Sequence, residues 1–188
     1  MCIRDRLKAG QAAQKSAKHQ RTEVEFDGLV RECLDLVRSR HHLQPEALRY
    51  EPANGNGAGN VGAGEVGAST LVLGDAEELR TAVSNLLDNA IKYSGKRVDV
   101  AVQVETDDKH VVLHVRDSGV GIAPQELKRI FKRFYRVPNR SLAHVKGTGL
   151  GLFIVRAIAR KHGGRVFAES PGEGQGTTVT MELPRSVA

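Results

Sequence analysis

The sequence predicts an α+β fold in which helices cover one face of a mixed sheet. Two observations support this prediction. Long stretches with apolar residues at a period of 3.6, typical of amphipathic helices, are interspersed with short runs of period two, typical of strands. The 188 residues are 40% hydrophobic but only 4% aromatic, so we expect one ordinary domain with a mainly aliphatic core.

Helices are predicted where a polar cap precedes a periodic apolar stretch. Asp27 is the predicted N-cap of a first helix, and Asp75 of a second helix that ends near Tyr93. Pro124 opens a short helix at the first position, which proline favours. A third long helix covers about residues 149–162 and ends at two glycines. The buried face of the first helix is predicted to contain Leu29, Val30, Cys33, Leu34 and Val37.

Strands are predicted where apolar and polar residues alternate between turn residues. Residues 165–169 and 177–183 are expected to close the chain as a hairpin-like pair. The Gly/Ala/Asn-rich tract at 51–68 cannot bury enough apolar surface to order itself, so it is predicted to be a flexible hairpin insertion. Residues 1–20 are interpreted as the end of an upstream helix or a linker, and residues 21–188 as the domain. The other strands are predicted at residues 22–26, 48–51, 70–73, 98–104 and 110–116.

The net charge of +6 is concentrated in one segment. Between residues 125 and 165 there are 11 Lys and Arg but a single acid, Glu126, which favours a polyanionic ligand or an acidic partner. No motif favours nucleic acid. No apolar run approaches the roughly 18 residues that span a bilayer, and Cys2 and Cys33 lack metal or redox spacing, so we expect a reducing, cytoplasmic location.

The predicted helix after Asp75 carries two amides on its polar side. Asn85, Asn89 and Lys92 recur at i, i+4 and i+7, although Asn is a mediocre helix former. Amide oxygens can coordinate Mg²⁺, which prefers phosphate oxygens for its other ligands. A solvated helix face is the alternative interpretation. The opposite, apolar stripe contains Leu79, Val83, Leu86, Leu87 and Ala90.

Two glycine motifs flank the basic segment. The first, DSGVGI from Asp117, follows a strand and would place a carboxylate where it accepts a hydrogen bond from an amine such as that of adenine; an ordinary tight turn is the alternative. The second, GTGLGL from Gly147, enters a helix, whose N-terminus favours phosphate. Because this motif is GxGxG and follows no strand, a dinucleotide-binding fold is rejected.

The residues between these motifs, about 124–148, are predicted to form a lid, since a loop of this length in a compact domain is usually a binding segment. Phe131 and Phe134, three positions apart, are expected to anchor one end of it to the core. Arg136 or Lys146 could then reach triphosphate oxygens.

Four stretches in this order resemble the N, G1, F and G2 boxes of sensor histidine kinases. The resemblance covers about residues 22–184 and is to their catalytic ATP-binding domain, a member of the GHKL superfamily. It implies the Bergerat fold, a two-layer α/β sandwich with three main helices on one face of a mixed five-stranded sheet, and the cofactors ATP and Mg²⁺. The stretches are NLLDNAIKYS from Asn85, DSGVGI from Asp117, FKRFYR from Phe131 and GTGLGL from Gly147.

The resemblance implies where the phosphates and the metal would lie. Asn89 would be the Mg²⁺ ligand, and Asn85 would support the metal or its water shell. Lys92 and Tyr93 would contact phosphate and sugar. The phosphates would be lined by Gly147, Thr148, Gly149, Leu150 and Gly151.

The resemblance also implies how the base is held. Asp117 would bind the adenine amine, while Gly119 and Gly121 would let the base approach closely, with Ile122 against it. The lid candidates Arg136 and Lys146 would approach the γ-phosphate, which is why both belong to the predicted cofactor site.

The acceptor histidine of such kinases has no counterpart here. His19 is followed by Gln-Arg-Thr rather than by an acid and Leu, and the other histidines lie within the ATP-binding region. The chain is therefore expected to present ATP to a histidine on a dimerisation domain outside it, within a homodimer that signals to a response regulator. Any membrane anchor would lie upstream. The alternatives are a serine kinase of the anti-sigma type, a GHKL ATPase, in which a glutamate typically replaces Asn85, or a non-catalytic ATP-binding docking module.

Overall fold

The computed structural model describes residues 21–51, 69–95, 97–138 and 147–186. The predicted upstream segment 1–20, nearly all of the tract at 51–68 and the lid candidate Lys146 lie outside these residues. Within them, no helix is both long and apolar enough to cross a bilayer. The helices are α1 (Phe26–His41), α2 (Ala76–Tyr93) and α3 (Gly151–Lys161), with single 3₁₀ turns at Pro45–Ala47 and Pro124–Glu126. The strands are β1 (Thr22–Glu25), β2 (Leu48–Glu51), β3 (Leu71–Gly74), β4 (Val100–Thr106), β5 (His110–Asp117), β6 (Arg165–Glu169) and β7 (Thr177–Pro184).

Five strands form one mixed sheet in the order β2-β4-β5-β7-β6. β2 runs parallel to β4, and the other neighbours are antiparallel, including the predicted pair β6 and β7. Alternate residues of β4 and β5 are buried and join the apolar faces of the helices in one core. The predicted α+β fold, with three helices and a mixed five-stranded sheet, is confirmed. All predicted positions on the buried faces of α1 and α2 belong to this core.

The predicted hairpin around the Gly/Ala/Asn-rich tract is wrong. β2 lies in the large sheet, whereas β3 pairs with β1 in a separate antiparallel sheet. Both flanks of the tract are instead attached to the start of α1, because the hydroxyl of Tyr50 donates to Asp27 and that of Thr70 donates to Glu25. The tract therefore joins two sheets rather than two neighbouring strands.

The first two helices begin at acidic caps. Asp75 caps α2 as predicted, since its carboxylate accepts hydrogen bonds from the N–H groups of Glu77 and Glu78. The predicted cap of α1, Asp27, lies inside the first turn. Glu25 is the cap there, because its longer side chain reaches the N–H groups of Asp27 and Gly28.

His162 joins the ends of α2 and α3 that lie away from the lid. Its Nε2 accepts from the N–H of Asp75 at 3.0 Å, and its Nδ1 lies 2.8 Å from the carbonyl oxygen of Ile158. A neutral ring protonated at Nδ1 satisfies both bonds, and His162 is only 6% exposed.

We expect His162→Ala to destabilise the fold by about 2–4 kcal/mol, because it leaves a buried N–H unsatisfied and opens a cavity. Urea unfolding measures the loss. His162→Gln, which can keep one of the two hydrogen bonds, should lose less. Equal losses in the two variants would argue against the hydrogen-bonded link.

Candidate functional site

A cavity of about 300 Å³ lies between the second half of α2, the buried face of the sheet and the start of α3. Among the described residues, two acids and two cations are on its wall. Its apolar lining comes from the helices and from the central strands. That lining includes Leu86, Ala90, Val115, Leu152 and Val179.

Asp117 is the buried acid of this cavity. It is the last residue of β5, lies opposite Thr177 of β7, and is 6% exposed. Burial raises the pKa of its carboxyl to about 6, although hydrogen bonds from the backbone N–H groups of Gly119 and Thr177 lower it. A desolvated carboxylate on the wall is a strong acceptor for an N–H group of a ligand.

The glycines after Asp117 fit tightly against other backbone segments. A Cβ at Gly119 would overlap the carbonyl oxygen of Tyr93, and one at Gly121 would overlap that of Gly172. Gly121 and Ile122 line the cavity, but Gly119 does not. The close packing against the end of α2 therefore requires a glycine at position 119.

The polar side of α2 faces the start of α3 across the cavity. A Cβ at Gly151 would lie 3.1 Å from Oδ1 of Asn85 and 3.2 Å from Nδ2 of Asn89. A side chain there would crowd both amides, so the glycine keeps the space between the helices open. The N-cap residue of α3 is Leu150, and in the described part of the chain α3 has no side-chain cap hydrogen bond. Such a helix end, next to two amide side chains, suits an anion and its counterion.

Lys92 and Arg136 bring two positive charges to the cavity. Burial, and then the charge of Arg136, lower the pKa of the Lys92 ammonium. Two mutually repelling cations on one wall favour an anionic ligand. The second acid on the wall, Asp88, is already engaged by α1, since it lies 3.2 Å from Arg40 and 3.0 Å from His41.

The described part of the predicted lid is anchored differently from the prediction. Phe131 is buried as expected, but Phe134 is 60% exposed, and Ile130 is the second buried anchor. Phe134 is exposed because its backbone has a positive φ of 60° and its N–H donates to the carbonyl of Gly149. The lid is thereby tied to the second glycine motif.

Most of the predicted site residues come together around this one cavity. Leu150 is not on its wall, and Lys146 lies outside the described residues. Sequence reasoning missed Asp88, Ile130, Tyr135 and Thr177, although Tyr135 directly precedes Arg136. The predicted residues on the wall are Asn85, Asn89, Lys92, Tyr93, Asp117, Gly121, Ile122, Arg136, Gly147, Thr148, Gly149 and Gly151.

Comparisons with known proteins agree on one kind of domain. The model of the family described as "Histidine kinase-, DNA gyrase B-, and HSP90-like ATPase" matches residues 74–187, more than half of the chain. Sensor protein SrrB of Staphylococcus aureus is 36% identical over 111 residues, which are 59% of this chain and 19% of SrrB. The chain thus spans about a fifth of the length of this relative.

Solved structures give the same picture. The mycobacterial sensor histidine kinase MprB is 29% identical with a TM-score of 0.66, covering 89% of this chain and 99% of that one. Full-length ShkA in complex with AMPPNP is 26% identical with a TM-score of 0.67, covering 89% of this chain and 32% of ShkA. The catalytic domain of histidine kinase ThkA, at 24% identity and a TM-score of 0.67, covers 88% of this chain and 98% of its own and shares the fold.

Proposed function

Since the chain belongs to the family of histidine kinase-, DNA gyrase B- and HSP90-like ATPases, we propose that its cavity binds ATP and presents the γ-phosphate to a histidine on a separate dimerisation domain. The full-length protein would then be a cytoplasmic or membrane-anchored sensor kinase. It would act as a homodimer and pass the phosphoryl group to a response regulator.

One observation carries this proposal: the cavity has a buried acceptor at one place and cations at another. Asp117 accepts from a base, whereas Lys92, Arg136 and the start of α3 neutralise phosphates. Adenine offers an N–H donor, and the triphosphate offers the charge. A ligand with both features matches the wall better than an anion or a base alone.

The amides of α2 fit a magnesium ion that accompanies the phosphates. Asn85 and Asn89 would hold it, since neutral amide oxygens suit a metal whose other ligands are phosphate oxygens and water. Among the described residues, no three His, Cys, Asp or Glu side chains form a metal cluster. When bound, the ion would neutralise the charge that develops on the phosphates.

The side chains of this domain would act by positioning and by electrostatics, as phosphoryl transfer requires. Asp117 would fix the base, and Lys92 and Arg136 would hold the phosphates against the start of α3. An amide at Asn85, where the related ATPases typically have a glutamate, does not activate water. We therefore favour transfer to a protein acceptor over ATP hydrolysis.

The experiment that tests this proposal mixes the chain, Mg²⁺ and ATP labelled at the γ-phosphate with the dimerisation domain of the full-length protein. We expect acid-labile label on that domain and none on the chain alone. Acid-stable label would indicate a serine kinase, and release of phosphate without an acceptor would indicate an ATPase. Label on a histidine of this chain would show that the acceptor is not missing.

We expect Asn89→Ala to weaken ATP binding about tenfold in Mg²⁺, because a metal ligand is lost, and to change it little in EDTA. Calorimetric titration under both conditions measures this difference. Gln103→Ala, an amide of strand β4 outside the cavity, is the matched control. An equal loss in both conditions would contradict a role at the metal.

We also expect ATP affinity to fall as the pH drops below about 6. The folded-state pKa of Asp117 is raised to about 6, so acid converts the acceptor carboxylate into a carboxylic acid within that range. Calorimetry between pH 5 and pH 8 measures the change. In Asp117→Asn, any residual affinity should lose this dependence on pH, so a dependence that survives would come from another group.

A further inference from the structure

Glu126 is a buried carboxylate next to the cavity but not on its wall. It is 8% exposed, at the end of the 3₁₀ turn that begins the lid. Both of its oxygens are engaged, because Oε1 lies 3.0 Å from the guanidinium of Arg129 and Oε2 accepts from the hydroxyl of Tyr135. This carboxylate therefore joins the first turn of the lid to a residue nine positions later.

The partner of Glu126 is a wall residue that precedes a cation. Tyr135 and Arg136 both line the cavity. The ring of Tyr135 is held at its hydroxyl by Glu126 and on its face by Arg129, whose guanidinium carbon lies 4.7 Å from the ring centroid. The bond to Glu126 raises the pKa of the Tyr135 phenol, which stays protonated and continues to donate.

The segment does not need Glu126 for its attachment to the core. Ile130 and Phe131 are buried, and the N–H of Phe134 bonds to Gly149. A buried carboxylate loses hydration, so an apolar residue would serve packing alone at lower cost. What Glu126 adds is a fixed direction for Tyr135, and hence for the backbone that carries Arg136.

We propose that Glu126 is a positioning residue for the phosphate end of the cavity: it clamps Tyr135 so that Arg136, like Lys92, faces the ligand. This inference rests on the proposed binding of ATP. The clamp affects only the phosphate end of the ligand, because Asp117 contacts the base at the other end and does not depend on Glu126. Loss of the clamp should therefore lower the binding affinity more as the ligand carries more phosphates.

The test compares adenosine, AMP, ADP and ATP by calorimetric titration in Mg²⁺, for the wild-type chain and for Glu126→Ala. We expect ATP affinity to fall about tenfold and ADP affinity to fall less, with adenosine and AMP unchanged. Tyr135→Phe keeps the ring and the Glu126–Arg129 pair. It should also lose most affinity for ATP, less for ADP and none for AMP or adenosine. Glu126→Gln, which can still accept from Tyr135, should recover part of the ATP affinity.

Glu169→Ala, which removes an exposed acid of β6 outside the cavity, is the matched control. Thermal unfolding of each variant shows whether the fold is retained. If Glu126→Ala does not fold, Tyr135→Phe decides the outcome. A uniform loss across all four ligands, or no loss for ATP, would overturn the clamp. If the wild-type chain binds none of the four, the proposed function itself fails.

Discussion

Asp117→Asn is expected to lower ATP affinity at least a hundredfold while making the ligand-free protein more stable. In the proposed function the carboxylate accepts from the adenine amine, and one of its oxygens already accepts from the N–H of Gly119. An amide has a single acceptor oxygen, which that N–H would occupy. Its NH₂ group would then face the amine of the base, donor against donor.

The gain in stability follows from the direction of the pKa shift. Burial raises the folded-state pKa of Asp117 from 3.8 to about 6, so ionisation favours the unfolded chain. The contribution of Asp117 to the free energy of unfolding is fully present below the unfolded-state pKa and is lost as the pH rises through about 6. A neutral amide avoids this loss, which amounts to at most about 3 kcal/mol above that pH.

Calorimetry with ATP and thermal unfolding at pH 5 and pH 7.5 measure both effects. Asp99→Asn is the matched control, because hydrogen bonds from Arg49 and Ser118 lower the pKa of that carboxyl. This control should bind ATP normally and gain no stability. An Asp117→Asn variant that binds ATP as the wild type does, or that is less stable at pH 7.5, would contradict the assignment.

Gly121→Ala should have the largest effect on the fold, with a loss of at least about 3 kcal/mol. Gly121 has a φ of 65°, which costs an L-residue about 1–2 kcal/mol. Its new Cβ would also overlap the carbonyl oxygen of Gly172, a backbone atom that cannot move aside without distorting the loop. The wall formed by Gly121 and Ile122 would shift with it, so ATP affinity should fall as well.

Gly174→Ala is the control that distinguishes the cost of a positive φ from the cost of a steric overlap of the new Cβ. Gly174 has a similar φ of 76°, but nothing lies within 4 Å of a Cβ built there. That variant should lose only about 1–2 kcal/mol in urea unfolding and keep its ATP affinity. Equal losses in the two variants would show that the contact with Gly172 is not what requires a glycine at position 121.

Local patterns in the sequence predicted much of the fold. The cap at Asp75 and the apolar stripe of α2 depend on residues within a few turns of each other, and both are confirmed. The pair β6 and β7 is also local. The hairpin at 51–68 was wrong because pairing is not local: β2 joins β4 in parallel, across the whole of β3 and α2.

In the candidate site, too, local features were predicted and features that depend on the folded backbone were not. The four motifs name most of the residues on the cavity wall, because each motif carries its own chemistry. Helical spacing alone predicted that Phe134 is an anchor, but a positive φ turns its side chain outward. Thr177 meets Asp117 only when two distant strands pair, and the bond between Glu126 and Tyr135 depends on the irregular backbone of the lid, so no pattern in the chain indicates their roles.

The central claim is that one cavity holds the base at Asp117 and the phosphates at the start of α3. Backbone amide shifts measured by NMR on titration with adenosine, and then with ATP and Mg²⁺, test it most directly. Adenosine should move the resonances of Gly119, Gly121 and Thr177, and ATP should additionally move those of Asn89, Gly149 and Gly151. Shifts confined to Arg116 and Thr178, which are outside the cavity, or no shifts at all, would contradict the account.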